Sequence, residues 1–251
     1  MESWLRKGEG TMRVGIHQIN YFPWLGYFNK IAKSDIFVLL DEVQLIDNGM
    51  MHRNRIINKN GDVAYITISI NKKNYLNKKF SEIETSQNVD WLTKQYNQIS
   101  DSYRKAPFWK EVNDLLFPFF HDKYEKIIDV NRKALEIMIS LLGIKTKLVL
   151  QSSLKYDPDL KKDDLLISLL KDLNADVYLS GTGAKKYMVL DDFHHENIMV
   201  QFQTFESPVY DQINAKDFIP GLSILDTLFN CGIEGTKQLF WDNLQNYEVS
   251  E

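Results

Sequence analysis

A short stretch near the N-terminus concentrates the side chains that could do chemistry. His17, Gln18 and Asn20 follow an apolar run and supply one proton acceptor and two amides that could hold a developing oxyanion. The next residues include rings that could stack on a base or a sugar, at Tyr21, Phe22, Trp24 and Tyr27. The pattern predicts a strand, then a loop that carries these polar and aromatic residues, and then a helix over about residues 26–32.

A second strand is predicted at residues 36–40, directly after that helix, and it ends in Asp41 and Glu42. Together these elements form a β-loop-α-β unit. In open parallel sheets ligands bind outside the carboxyl ends of the strands. We therefore expect the functional site in the loop after the first strand, with Asp41 binding substrate or acting as a base or a Mg²⁺ ligand. Two exposed acidic residues in a turn are the alternative interpretation of Asp41 and Glu42.

Arg53, Asn54 and Arg55 form a second candidate site. In an extended segment the two arginine side chains share one face, and guanidinium groups bind phosphates and carboxylates in a bidentate fork. Asn60 and Gly61 form a turn signal between this segment and an alternating β-like segment at residues 63–70, which predicts a hairpin or two neighbouring strands. The alternative is that both arginines are solvated charges on an edge strand.

A third candidate follows a predicted buried strand at residues 177–180. Ser180, Gly181, Thr182 and Gly183 resemble half of a phosphate-binding turn, in which glycines admit the anion and the next helix aims N–H groups at it. The complete glycine-rich motif is absent because Lys186 occupies its third position. A plain connection between a strand and a helix is the alternative.

The remaining pattern predicts an α/β fold, a mostly parallel sheet flanked by helices in a Rossmann-like arrangement. Further strands are expected at residues 80–85, 147–153 and 197–202, and further helices at 162–173 and 220–230. A helical insertion near residues 90–142, interrupted at Pro118 and capped by Gly143, would form a lid or a wall. We expect residues 1–11 to be a disordered extension and residues 12–251 to form a single domain.

Composition narrows the class of protein. The 30 basic and 34 acidic residues give a net charge of −4, which argues against a nucleic-acid partner. No apolar run approaches the roughly 20 residues of a membrane span. The single cysteine, Cys231, fits a reducing compartment, so a cytoplasmic protein is predicted. No metal site is predicted, because the adjacent residues 194–196 offer His-His-Glu with no third ligand in view. The sequence is compatible with a homo-oligomer.

Several segments resemble the WbqC-like family, and the resemblance spans about residues 12–240. They are Ile16-His17-Gln18-x-Asn20-Tyr21-Phe22-Pro23-Trp24-Leu25-Gly26-Tyr27-Phe28, Asn54-Arg55-Ile56, Tyr178-Leu179-Ser180-Gly181, Pro208-x-Tyr210-x-Gln212 and Leu222-Ser223-Ile224-x-Asp226-x-Leu228-Phe229-Asn230-x-Gly232. The family is typically found with bacterial surface-polysaccharide genes, so the resemblance implies an enzyme that modifies nucleotide-linked sugars. Ile19 and the segment at 181–184 depart from the family's usual proline and Gly-Pro-Ser-Gly turn.

The layout from the first strand to the second is also similar to the nucleotidyltransferase superfamily that includes pantothenate synthetase. Trp24 and Tyr27 stand where that superfamily has the histidines that stabilise an ATP phosphate. Three hypotheses follow: N-acyl or N-aminoacyl transfer to a nucleotide-linked amino sugar, an adenylating ligase or nucleotidyltransferase that uses ATP and Mg²⁺, and a non-catalytic sugar-binding partner.

For acyl transfer we expect His17 as the base and Gln18 and Asn20 as oxyanion or substrate holders. The cofactor is unknown, with an activated donor such as a thioester, or ATP with Mg²⁺ in the second hypothesis. The residues expected to bind substrate are Tyr21, Trp24, Tyr27, Asp41, Arg53, Asn54, Arg55, Ser180, Gly181, Thr182, Gly183, Tyr210 and Gln212.

Overall fold

The centre of the molecule is a parallel sheet, seen in a computed structural model that describes residues 10–73 and 75–246. The strands are β1 (Arg13–Gln18), β2 (Ile36–Leu40), β3 (Arg53–Ile57), β4 (Val63–Thr67), β5 (Lys147–Leu150), β6 (Val177–Ser180) and β7 (Met199–Phe202). Five of them form the sheet in the order β5-β2-β1-β6-β7, and β3 and β4 pair separately as an antiparallel hairpin. The predicted α/β fold is confirmed.

The strand order locates the crevice of the sheet. Numbered along the chain, the five parallel strands lie in the order 3-2-1-4-5, which is the order found in dinucleotide-binding sheets. Successive strands are added on one side of β1 and then on the other. The switch point, where ligands bind in such sheets, therefore lies at the carboxyl ends of β1 and β6.

At that point β1 remains paired with β2 but no longer with β6. β1 and β2 stay paired from Val14↔Ile36 to Gln18↔Leu40. β1 and β6 pair only from Arg13↔Val177 to Gly15↔Leu179. The last three residues of β1 therefore have a partner strand on one side and a gap on the other.

Helices cover both faces of the sheet. They are α1 (Leu25–Ala32), α2 (Trp91–Tyr103), α3 (Trp109–Phe120), α4 (Ile127–Leu142), α5 (Lys162–Asp172), α6 (Leu190–His195) and α7 (Ile224–Asn246). Residues of α1 to α4 and α7 form the larger core with Phe37 and Leu39, while α5 and α6 pack on Val14 and Ile16. The described residues contain no helix that is both long enough and apolar enough to cross a membrane.

The helical insertion forms a wall against the loop after β1. The ring of Phe22 contacts the rings of Phe119 and Phe120, with centroids 5.0 and 6.2 Å apart. The prediction that Pro118 interrupts this region was wrong, because α3 continues through it to Phe120. A proline removes one helical hydrogen bond, and the buried Phe119 and Phe120 keep the last turn in place. Gly143 ends α4 in the left-handed conformation, as predicted.

Two other predictions of local structure were wrong. Residues 80–85 do not form a strand, because Phe80–Glu82 is a 3₁₀ turn whose start is closed by a bond from the Lys79 amide to the Glu82 carboxylate. The late helix begins at Ile224 rather than near residue 220, and it is kinked at Gly232. The predicted extension at residues 1–11 falls largely outside the described residues.

Candidate functional site

His17 lies inside β1 and not in the loop that follows it, which corrects the sequence prediction. The strand continues because His17 and Gln18 still pair with Leu39 and Leu40 of β2. The His17 Nδ1 lies 3.0 Å from the Gln18 carbonyl oxygen, so the neutral ring carries its proton on Nδ1 and leaves the Nε2 lone pair available. Burial and then the nearby Lys30 cation lower the pKa of His17 to about 4, so the ring is neutral at pH 7.

Gln18 and His17 flank the crevice from opposite faces of the sheet, because consecutive strand residues alternate. His17 lies on the α1 side, where its ring contacts the edge of Tyr27 at 5.1 Å. Gln18 continues the face of Ile16, which packs with α5. Within the described residues the side-chain amides of Gln18 and Asn20 have no hydrogen-bond partner. His17 and Gln18 can therefore act on a ligand only from two sides of the crevice mouth.

Tyr27 and Tyr21 are core residues rather than exposed rings. Tyr27 is 3% exposed, and its hydroxyl donates to the Gln18 carbonyl at 2.9 Å. Tyr21 is fully buried, and its hydroxyl donates to Gln95 Oε1 at 2.7 Å. Both rings are buried in the core, so their role is to shape the loop and to fix the backbone beside His17.

Two side chains from distant segments hold the loop after β1. Asn54 Nδ2 donates to the carbonyls of Tyr21 and Phe22, both at 2.9 Å. Ser223 Oγ donates to the same Phe22 carbonyl at 2.8 Å. Phe22 itself has φ of 37°, an unfavourable backbone conformation for a bulky residue. Asn54 is thus a support of the site and faces the loop rather than solvent.

Trp24 is the exposed ring of the loop, with 36% of its surface accessible. Its indole meets the ring of Phe205 edge to face at 5.1 Å and covers the first turn of α1. A Cβ at Gly26 would lie 2.5 Å from that indole, so only glycine fits there. Trp24 is therefore the one predicted stacking residue with an open face.

Arg53 and Arg55 lie side by side on the outer face of the β3–β4 hairpin, as the extended pattern predicted. The Arg53 guanidinium stacks on Tyr65 at 4.3 Å and donates to the Asn48 carbonyl at 2.8 Å. Arg55 donates to the Gly221 carbonyl at 2.8 Å. Each arginine uses one bond for the protein and keeps further donors, and the Nε atoms of both have no partner in the described chain.

Asp41 is buried and hydrogen-bonded through both carboxylate oxygens. Its two carboxylate oxygens accept from the backbone amide and the hydroxyl of Ser152, at 2.9 and 2.7 Å. It therefore ties the end of β2 to the segment after β5. Within residues 10–73 and 75–246, no group of three His, Cys, Asp or Glu side chains could hold a metal ion.

The segment after β6 is not the start of an α-helix, which corrects the basis for an anion cradle there. Ser180 is buried at the end of β6, and Thr182–Lys186 forms a 3₁₀ turn after Gly181. A Cβ at Gly181 or Gly183 would meet nothing within 4 Å, and neither residue has positive φ. A short 3₁₀ turn does not align several backbone N–H groups toward one point. The segment therefore borders the crevice but does not form the predicted phosphate-binding turn.

Tyr210 and Gln212 belong to a buried network around Asp226 that the sequence had not located. The Asp226 carboxylate accepts from the hydroxyls of Tyr103 and Tyr210 at 2.7 and 2.8 Å, and from Gln212 Nε2 at 3.0 Å. Burial raises the pKa of Asp226 despite these donors. The network joins α2, the segment before α7 and α7 itself. A small cavity borders it, lined by Trp24, Leu25, Ser207, Pro208, Tyr210, Phe218, Gly221, Leu222 and Thr227.

Lys30 is the residue of the crevice that sequence reasoning missed. Its side chain is 3% exposed, and its Nζ donates to the Ile16 carbonyl at 2.7 Å. Burial lowers the pKa of Lys30 to about 7. The available signal was its spacing, because a residue three positions after Tyr27 lies on the same, inward face of α1.

Comparisons with known proteins identify the family of the chain. The model of the WbqC-like protein family matches residues 18–238. The uncharacterized protein Rv1507c of Mycobacterium tuberculosis is 30% identical to the chain over 230 residues, which cover 90% of this chain and 97% of that protein. No solved structure matches the chain. The region matched by the family model takes in α1, the hairpin and the Asp226 network, and it begins at Gln18, one residue after His17.

Proposed function

The chain belongs to the WbqC-like family, and from that premise we propose that it is an enzyme of surface-polysaccharide biosynthesis. It transfers an acyl or aminoacyl group to the amine of a nucleotide-linked sugar. The reaction takes place at the carboxyl ends of β1 and β6. The polysaccharide context rests on the family resemblance, and the reaction class rests on the crevice.

One observation supports this proposal: a neutral imidazole, whose Nε2 has no hydrogen-bond partner among the described residues, lies at the switch point of the sheet. When the sugar amine attacks the carbonyl of an activated donor, a C–N bond forms and the amine must lose a proton. The Nε2 of His17 accepts that proton as the leaving group departs. A pKa of about 4 leaves this lone pair unprotonated at neutral pH and also makes the ring a weak base.

The substrate is held by groups on either side of that imidazole. The strand order supports a nucleotide, since sheets of this order bind nucleotides at the same switch point. In the proposal the unused donors of Arg53 and Arg55 bind the pyrophosphate, and the open face of Trp24 stacks on a ring. Gln18 or Asn20 supplies an amide to the oxyanion.

An adenylating ligase is the second candidate, and the 3-2-1-4-5 order of the sheet favours it equally. Such a ligase needs ATP and Mg²⁺. Asp41, the carboxylate expected to bind the metal, already accepts two hydrogen bonds from Ser152. The acyl-transfer proposal needs no carboxylate at that position.

The test mixes the purified protein with UDP-, GDP- or dTDP-linked amino sugars and an acyl thioester, with and without ATP and Mg²⁺, and follows the mass of the sugar nucleotide. We expect an acylated product without ATP. A product that forms only with ATP replaces acyl transfer by the ligase. No product in either mixture, together with unchanged melting in the presence of the sugar nucleotides, rejects both enzymes.

Variants then assign the roles. His17→Gln should reduce turnover by about 10²- to 10⁴-fold and leave nucleotide-sugar affinity within about twofold, while the exposed His195→Gln serves as the matched control. Replacing Arg53 and Arg55 together by Ala should weaken that affinity at least about tenfold, since charge-assisted hydrogen bonds contribute roughly 1.5–3 kcal/mol each. Full turnover in His17→Gln would remove His17 as the base.

A further inference from the structure

A buried lysine fills the gap between β1 and β6. The two strands stop pairing after Gly15 and Leu179, so the Ile16 carbonyl has no strand partner on that side. The Nζ of Lys30 takes that place at 2.7 Å from the Ile16 oxygen. The lysine stem comes from α1, and its end reaches into the crevice where ligands of such sheets bind.

The ammonium lies close to the plane of the sheet. Its Nζ is 5.8 Å from the centre of the Phe37 ring and 5.9 Å from that of the Tyr178 ring. Phe37 belongs to the core on the α1 face, whereas Tyr178 stacks on Phe193 in the core of the opposite face. Nearly equal distances to rings on the two faces are expected for a group in the gap between the strands.

The ammonium group of Lys30 has no counterion among the described residues. In residues 10–73 and 75–246 no carboxylate forms an ion pair with it, and its one hydrogen bond uses one of three ammonium hydrogens. The titratable groups around it are His17 of β1 and Tyr178 of β6, and neither carries negative charge at neutral pH. A buried cation without a partner is costly, and functional sites are where such groups persist.

A second unpaired donor lies next to it in the same helix. Asn29 is fully buried; its Oδ1 accepts from Gln203 Nε2 at 2.8 Å, and its Nδ2 has no partner among the described residues. Gln203 follows the end of β7, and its own backbone amide donates to the Ser180 carbonyl. Gln203 therefore links the side chain of Asn29 to the carboxyl end of β6.

We propose that the crevice between β1 and β6 is an oxyanion-binding site in which the protonated Lys30 ammonium supplies the positive charge. The ligand group is a phosphoryl or a carboxylate group, and it accepts from the two free hydrogens of the Lys30 ammonium. This inference deepens the proposed function and shares its site. It does not depend on the reaction, because it concerns binding alone.

The test is a titration of lysine amino groups by ¹³C–¹⁵N NMR of the full chain. The Lys30 signal is identified by its loss in Lys30→Met, with Lys30→Gln as a second variant. Sodium pyrophosphate and sodium acetate are the probes, sodium chloride at equal ionic strength is the blank, and the exposed Lys94 is the internal control. An oxyanion at Lys30 should raise its pKa by about one unit or more, because the anion favours the charged form; each unit corresponds to about tenfold tighter binding by the protonated protein.

Each outcome decides the proposal. A rise with pyrophosphate alone identifies a phosphoryl site, and a rise with acetate identifies a carboxylate site. A Lys30 pKa that moves no more than that of Lys94 with either probe overturns the inference and leaves Lys30 as a support of the Ile16 carbonyl. A protein that binds an oxyanion at Lys30 and yet forms no acylated product keeps this inference and loses the proposed reaction.

Discussion

Replacing Asn54 by Ala should destabilise the protein far more than the loss of an ordinary surface amide. Asn54 makes three hydrogen bonds, two to the carbonyls of Tyr21 and Phe22 and one from the Arg55 amide, at 2.8–2.9 Å. At a net contribution of about 1 kcal/mol each, their loss alone costs about 3 kcal/mol. The buried Tyr21 carbonyl is then left without a side-chain donor, which adds about 1–3 kcal/mol.

Relaxation of the loop offsets part of that loss. The backbone of Phe22, at φ of 37°, stores roughly 1–3 kcal/mol that a freed loop can release. Ser223 still holds the Phe22 carbonyl, so the loop keeps one attachment. We therefore expect a net loss of about 3 kcal/mol in the free energy of unfolding, and a melting temperature lower by about 6–12 °C for a chain of this size.

Thermal and urea unfolding of wild type, Asn54→Ala and Asn58→Ala measure this effect. Asn58 is the matched control, because its side chain also bonds to the backbone, accepting from the amides of Asn60 and Asp62, but lies in the exposed hairpin turn. It should cost no more than about 1 kcal/mol. If Asn54→Ala loses as little as Asn58→Ala, then Asn54 does not hold the loop and the account of the site is wrong.

Three further predictions concern pH and packing. Because the folded protein keeps His17 neutral down to about pH 4 against an ordinary pKa of 6.5, wild type should lose stability as the pH falls from 6.5 to 4, by roughly 1.4 kcal/mol per unit at most. His17→Gln should lack that component in paired urea titrations. Tyr103→Phe removes a donor from the buried Asp226 carboxylate and should lower the free energy of unfolding in urea by about 1.5–3 kcal/mol. A loss under about 0.5 kcal/mol would contradict a stabilising role of this hydrogen bond. Gly232→Ala meets both a positive φ and a ring 2.6 Å away, so its melting temperature should fall by several degrees, whereas Gly183→Ala should leave it unchanged.

The sequence predicted those elements whose local pattern agreed with their surroundings. β2 and β6 begin and end where the apolar runs do, and Gly143 ends α4 as its position indicated. The prediction failed where tertiary contacts override local signals. β1 extends through His17 because β2 continues to pair with it, and α3 continues past Pro118 because the residues after it are buried.

The position of the polar residues in the sheet was predictable from the sequence, but their surroundings were not. Periodicity put the polar residues at the end of the first strand, and the sheet has its switch point there. Which side chain faces a ligand depends on long-range partners that no local pattern contains. The Asp41 carboxylate accepts a hydrogen bond from Ser152, 111 positions later, and the Tyr21 hydroxyl donates one to Gln95. In the sequence Lys30 resembles a surface lysine. Its burial follows from the gap between β1 and β6, which only the structure reveals.

Two of the segments that resemble the family, together with α4, support a single loop of the proposed site. The loop after β1 receives bonds from Asn54 in the hairpin and from Ser223 before α7, and Asn131 of α4 holds the Ile19 and Met51 carbonyls beside it. These segments are far apart in the chain, yet they fix the same few backbone atoms. A loop held in an unfavourable conformation at Phe22 needs several such attachments, since each one alone contributes about 1 kcal/mol. The separation of the motifs in sequence therefore reflects how many elements must meet to position a single loop beside His17 and Lys30.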